Sequence, residues 1–174
     1  MTEPKTLYET KWLKLQRIGS WDLVRRIHSD ACVGILAITP EQEVVLVEQF
    51  RIPVQQRVIE IPAGIVGDEE EHEDESVKQT AMRELLEETG FRAGSMELLS
   101  SSPTSAGLTA EFTLFYQAGE LTREHEGGGV SGEDIKVHRV ALSELRDWLG
   151  QRENEGMAID HKIHAALGMA GVSY

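Results

Sequence analysis

Residues 76–89 constrain the fold of this chain most tightly, because they read as a helix with both ends marked. Ser76 followed three residues later by Gln79 makes a capping box, in which each residue's side chain meets the other's backbone. Gly90 stands where a helix C-terminus turns into the left-handed region. Between these signals, apolar residues at 77, 81, 82, 85 and 86 keep the spacing of one helix face. The same register sets Glu84 and Glu88 four apart and Glu87 three after Glu84, so three carboxylates project from one side of the helix. As a solvated surface, such a face costs about 0.2–0.5 kcal/mol per like-charged pair, partly offset by Arg83 four residues before Glu87. A bound divalent cation turns that repulsion into coordination, since carboxylate oxygens suit Mg²⁺ or Mn²⁺ and Mg²⁺ commonly shares them with substrate phosphates.

Around this helix the chain reads as alternating short strands and helices. Residues 11–27 alternate on both sides of Gly19-Ser20, which predicts an N-terminal hairpin. Residues 32–38 and 44–47 are β-branched runs joined by the turn-like Thr39-Pro40-Glu41-Gln42-Glu43, and residues 58–61 form a further strand closed by Pro62-Ala63-Gly64. Further strands are predicted at 96–99, 112–117 and 135–140, the last preceded by a flexible loop around Gly127-Gly128-Gly129. Helices follow at 143–149 and from the N-cap Asp160, with Ile163, Ala166, Leu167 and Ala170 on one face. Interleaved strands and helices give a mixed α/β class. The predicted organisation is an N-terminal strand region, 1–30, ahead of a domain over 31–174.

A net charge of −13 over 174 residues argues against nucleic acid or an anionic membrane as the main partner, because both would be repelled. The single Cys32 lies in an apolar strand run, so it reads as a packed thiol and no disulfide framework forms within the chain. No basic-then-apolar leader and no apolar run near the roughly 20 residues of a membrane span are present, which predicts a cytoplasmic protein.

The nine residues Arg83-Glu84-Leu85-Leu86-Glu87-Glu88-Thr89-Gly90-Phe91 resemble, position for position, the second half of the Nudix box, R-E-U-x-E-E-x-G-U with U apolar. Glu75, eight residues before Arg83, also falls where the box has a glutamate, but Gly64 lies eleven before Glu75 where the family has six. The entry loop is thus five residues longer, and the acidic run from Asp68 to Asp74 reads as a solvated insertion. The resemblance implies the Nudix fold, an αβα sandwich with a mixed β-sheet, and hydrolysis of a phosphoanhydride in a nucleoside diphosphate joined to another group. It further implies Mg²⁺, with Mn²⁺ as the alternative, held by Glu84, Glu87, Glu88 and the carbonyl of Ala63. Arg83 would orient these glutamates, and Glu75 would brace the loop against the helix start.

Glu60-Ile61-Pro62-Ala63-Gly64, preceded by Glu48-Gln49-Phe50-Arg51, resembles the ADP-ribose and nucleoside-diphosphate-sugar pyrophosphatase branch. In that branch N-terminal strands exchange across a homodimer. The resemblance therefore implies Trp12 and Trp21 as base-stacking residues, with Arg26 and Arg51 on the phosphates or base. Taken alone, the two tryptophans would read as core, and Arg25 and Arg26 as a solvated strand edge. Glu133, in Gly132-Glu133-Asp134, matches the segment that brings the general base, and Glu111 is the fallback. ADP-ribose enzymes usually carry a proline fifteen or sixteen residues past the box, whereas this chain has Ala106 fifteen past Phe91 and Pro103 three residues early. The expected substrate is therefore ADP-ribose or a related nucleotide sugar. Other nucleoside diphosphate derivatives, such as GDP-mannose or a dinucleotide, and a non-catalytic nucleotide sensor are the competing readings.

Overall fold

The computed structural model describes residues 3–29, 31–67, 75–130 and 132–174, so the acidic run from Asp68 to Asp74 lies outside the described residues. Among the described residues, eleven strands and three α-helices follow one another. β1 (Lys5–Glu9), β2 (Leu13–Ile18) and β3 (Trp21–Arg26) form an antiparallel sheet of their own. The predicted hairpin is β2–β3, turning at Gly19 with φ +61°. β1 was not anticipated: all five of its residues are exposed, so it carries no buried alternation to read.

Among the described residues the body consists of two four-stranded mixed sheets. One is ordered β10 (Ile135–Ala141), β5 (Glu43–Arg51), β6 (Gln56–Glu60), β11 (Ala158–Ile159), with only β6 and β11 parallel. The other is ordered β7 (Ala63–Ile65), β4 (Ala31–Ala37), β9 (Phe112–Arg123), β8 (Phe91–Pro103), with β4 and β9 parallel. β4 reads as a continuous apolar run because it is buried on both faces. Val33, Ile35 and Ala37 face one core with Ala81 and Leu85 of α1 (Val77–Thr89), while Leu36 faces the other. On that second side Leu145 and Leu149 of α2 (Leu145–Asn154) and Ile163, Ala166 and Leu167 of α3 (His161–Met169) complete the packing. Helices thus cover opposite sides of the sheets, as a sandwich requires.

Both predicted ends of α1 are present. Ser76 and Gln79 close a reciprocal capping box, and Gly90 takes φ +74° while its N–H donates to Leu86 O. Among the described residues no helix is long and apolar enough to cross a membrane.

Candidate active site

One open cavity of about 490 Å³ lies where β5–β7, the outer face of α1, the loop before β10 and the start of α3 converge. Arg26, Arg51, Ala63, Gly64, Arg83, Glu84, Glu87, Glu88, Glu111 and Glu133 all line it. The cavity also gathers Cys32, Glu60, Thr104, Asp160 and Lys162. Trp12 and Trp21 do not line it. Both are 61% exposed, Trp21 on β3 and Trp12 in the bend before β2, which excludes core packing for them within one chain. Trp21 Nε1 donates to Gly107 O at 3.2 Å, in the loop that ends in Glu111.

The three helix glutamates meet different partners. Glu88 is 7% exposed, and its Oε2 accepts from Ala63 N at 3.1 Å. Burial pushes its carboxyl up to about 8; the Ala63 N–H and Arg51 act against that, while Glu84 and Glu133 add to it. Glu84 lies against the backbone of β7 so closely that a Cβ on Gly64 would fall 2.1 Å from its carboxyl carbon. Only glycine admits the carboxylate there. Glu87 takes Arg83 Nη1 at 2.8 Å, and the same guanidinium reaches Glu84 at 3.0 Å and Glu75 at 3.2 Å. Burial alone would lower the Arg83 guanidinium, but Glu84, Glu75 and Glu87 together hold it above its ordinary value. Glu75 also accepts from Thr80 Oγ1 at 3.3 Å, bracing the helix start.

Among the described residues, no three His, Cys, Asp or Glu side chains form a ready metal cage. The donor chemistry nevertheless fits a hard cation: an oxygen-rich wall, a buried carboxylate whose charge the Ala63 N–H and Arg51 compensate only in part, and a glycine that opens the backbone to Glu84. Mg²⁺ suits such a partial site, because it keeps several waters and shares its remaining positions with phosphate oxygens.

Opposite α1, cations and carboxylates are paired in advance. Arg51 makes a bidentate contact with Glu60, Nε at 2.6 Å and Nη2 at 2.7 Å, and this pairing holds Arg51 above its ordinary value. Arg26 Nε donates to Glu111 at 2.5 Å. Asp160 caps α3 through Lys162 N at 2.7 Å and pairs with the Lys162 ammonium as well. Glu60 entered the sequence reading only as part of the Glu60-Ile61-Pro62-Ala63-Gly64 stretch and Asp160 only as a helix cap, and no local pattern marks Lys162 as a cavity residue.

Glu133 folds back on its own loop, its Oε2 accepting from Val130 N at 2.9 Å. The glycines before it are not the free tether expected of them. Gly128 N and Gly129 N donate to Glu88 O at 2.8 Å and Glu87 O at 3.0 Å, closing the C-terminal end of α1. Cys32, a wall residue of the cavity, is half-buried and hydrogen-bonded with Thr113 Oγ1 at 3.2 Å.

Comparison with known proteins gives a consistent picture. The NUDIX domain family model matches residues 28–159. The chain is 30% identical to a methanol dehydrogenase activator of Bacillus methanolicus, over 84% of this chain and 86% of that one. It is 34% identical to an ADP-ribose pyrophosphatase of Bacillus subtilis, over 70% of this chain and 63% of that one. It is also 34% identical to a GDP-mannose pyrophosphatase of Pectobacterium atrosepticum, over 89% and 83%. Among solved structures, one described as an ADP compounds hydrolase superposes with a TM-score of 0.72 at 18% identity, covering 97% of this chain and 89% of that one.

Proposed function

The chain belongs to the NUDIX domain family, and from that premise we propose that it is an Mg²⁺-dependent hydrolase of ADP-ribose or a related nucleoside diphosphate sugar. The products are a nucleoside monophosphate and a sugar phosphate. The observation that carries this reading is the cavity itself: the buried Glu88 and the half-buried Glu84 share a space of about 490 Å³ with the Arg51–Glu60, Arg26–Glu111 and Lys162–Asp160 pairs. A diphosphate needs both sides, with cationic groups for its anionic oxygens and a metal-holding face. The similarity to ADP-ribose and GDP-mannose pyrophosphatases supports the same substrate class.

In this reading Glu84, Glu87, Glu88 and the carbonyl of Ala63 hold Mg²⁺. When bound, the cation offsets charge on the diphosphate and acidifies the attacking water. Arg83 keeps Glu84 and Glu87 in register, and the Ala63 N–H fixes Glu88. Arg51 and Arg26 exchange part of their pairing with Glu60 and Glu111 for phosphate oxygens, which orients the substrate along the cavity. Glu133 leaves the Val130 N–H and takes the proton of the attacking water. The water oxygen bonds to one phosphorus, the bond from that phosphorus to the bridging oxygen breaks, and the second phosphate departs with that oxygen. Glu111 is the alternative base, although its ion pair with Arg26 fits a substrate-orienting role better.

Residues 1–30 act, in this proposal, as a dimerisation and base-binding region beside the hydrolase domain over 31–174. The exposed Trp12 and Trp21, together with Tyr8 at 68%, supply apolar surface for a second copy and for the base of the substrate. A homodimer in the cytoplasm is the expected state.

The test is phosphate release, coupled to a phosphatase, from ADP-ribose, GDP-mannose and a dinucleotide, with Mg²⁺ and with chelator. Mg²⁺-dependent turnover of a nucleotide sugar is expected. Binding without turnover across the panel would favour a nucleotide sensor instead.

A further inference from the structure

We propose that Asp134, gripped by Arg57, is a positioning residue for Glu133. This rests on the assignment of Glu133 as the general base. The loop that carries Glu133 is anchored on both sides. On its N-terminal side Glu124 N and His125 N donate to Gly90 O at 2.8 and 3.4 Å, and Gly128 and Gly129 close onto α1. Gly127 approaches so closely that a Cβ would lie 2.5 Å from Thr89 C, so this anchor leaves no slack.

On its C-terminal side the anchor is Arg57. Its Nη1 donates to Asp134 Oδ2 at 2.7 Å and its Nη2 to Asp134 O at 3.5 Å. Arg57 is itself held, because its Nε donates to Glu48, which is 1% exposed on β5. Glu48 also takes His138 Nε2 at 2.8 Å and lies 3.6 Å from Lys136 Nζ. A buried carboxylate on β5 thus fixes an arginine on β6, and that arginine fixes the residue immediately after Glu133. Glu133 lies between the two anchors and lines the same cavity as Glu84, Glu87 and Glu88.

Asp134 is 79% exposed, and an exposed ion pair adds little to stability. Its contribution is geometric. Without it the C-terminal anchor is lost, and a base displaced by about 1 Å can lose up to 10²-fold in rate. If Arg57 served only to neutralise Glu48, Asp134 would have no kinetic role.

The discriminating experiment is a double-mutant cycle on Asp134→Ala and Glu133→Gln, measuring kcat and KM for ADP-ribose with Mg²⁺ and thermal stability alongside. Asp134→Ala is expected to lower kcat roughly 5- to 100-fold with KM and Tm nearly unchanged, and Asp134→Asn to recover part of the loss. In the Glu133→Gln background, the same change is expected to cost less than about twofold, because the group it positions is gone. Wild-type kcat in Asp134→Ala, or an equal loss in both backgrounds, would overturn the proposal while leaving the base in place. Near-normal turnover of Glu133→Gln would instead overturn the base assignment, and the positioning role with it.

Discussion

The backbone N–H of Ala63 donates to Glu88 Oε2 at 3.1 Å, tying the first residue of β7 to a carboxylate that is only 7% exposed. Burying that charge has a cost, visible in a carboxyl pushed up to about 8, and a cation brought beside it removes the cost. A neutral isostere separates the two roles. Glu88→Gln keeps an acceptor for Ala63 N and relieves the buried charge, so Tm without metal should be unchanged or higher. The same change should lower kcat by roughly 10²-fold or more, because the isostere no longer carries the charge that complements the cation. Steady-state kinetics beside thermal melts check this, and near-normal kcat would contradict the assignment.

Gly64 gives a sharper probe of geometry. A methyl there would meet the carboxyl end of Glu84 at 2.1 Å, and because that end is flexible it can swing aside. Gly64→Ala should therefore leave Tm close to wild type while activity and Mg²⁺ affinity fall together by an order of magnitude or more. A variant with intact metal affinity would show that Glu84 has no part in holding the cation.

Cys32 yields a prediction about pH. Burial pushes its thiol above the ordinary value of 9.0, with Glu111 adding to the shift and Thr113 opposing it. A folded-state value raised above the unfolded one favours the fold fully below pH 9, and that contribution is lost as pH rises through the raised value. Alkylation by iodoacetamide at pH 8 should consequently run at least about tenfold slower in the folded protein than in urea. Equal rates in the two states would contradict the packed thiol.

The tryptophans test the assembly. Light scattering at micromolar concentration should give a dimer, and Trp21→Ala should raise KM roughly tenfold with a smaller effect on kcat, as loss of one stacking contact would. A monomer with unchanged KM in the variant would remove the N-terminal sheet from substrate binding.

The sequence made α1 legible because its signals are local: a capping box, a terminal glycine, and carboxylates three and four residues apart. β4 and α3 were legible for the same reason, through an unbroken apolar run and an Asp N-cap. What escaped depends on partners distant in sequence. β7 and β11 have three and two residues, and exist only as neighbours of β4 and β6. β8 runs from Phe91 to Pro103, past the predicted 96–99, through a bulge near Leu98 and a serine-rich stretch that carries no apolar alternation. In the cavity, the Arg51–Glu60 and Arg26–Glu111 pairs join residues nine and 85 apart, and no spacing rule links them.

Chromatographic identification of the products of ADP-ribose and GDP-mannose, with Mg²⁺ or chelator, tests the central claim most directly. The account predicts a nucleoside monophosphate and a sugar phosphate from at least one of them, formed only with the metal and nearly absent in Glu88→Gln. Both substrates recovered intact in the presence of Mg²⁺, or the same products at the same rate in chelator, would contradict it.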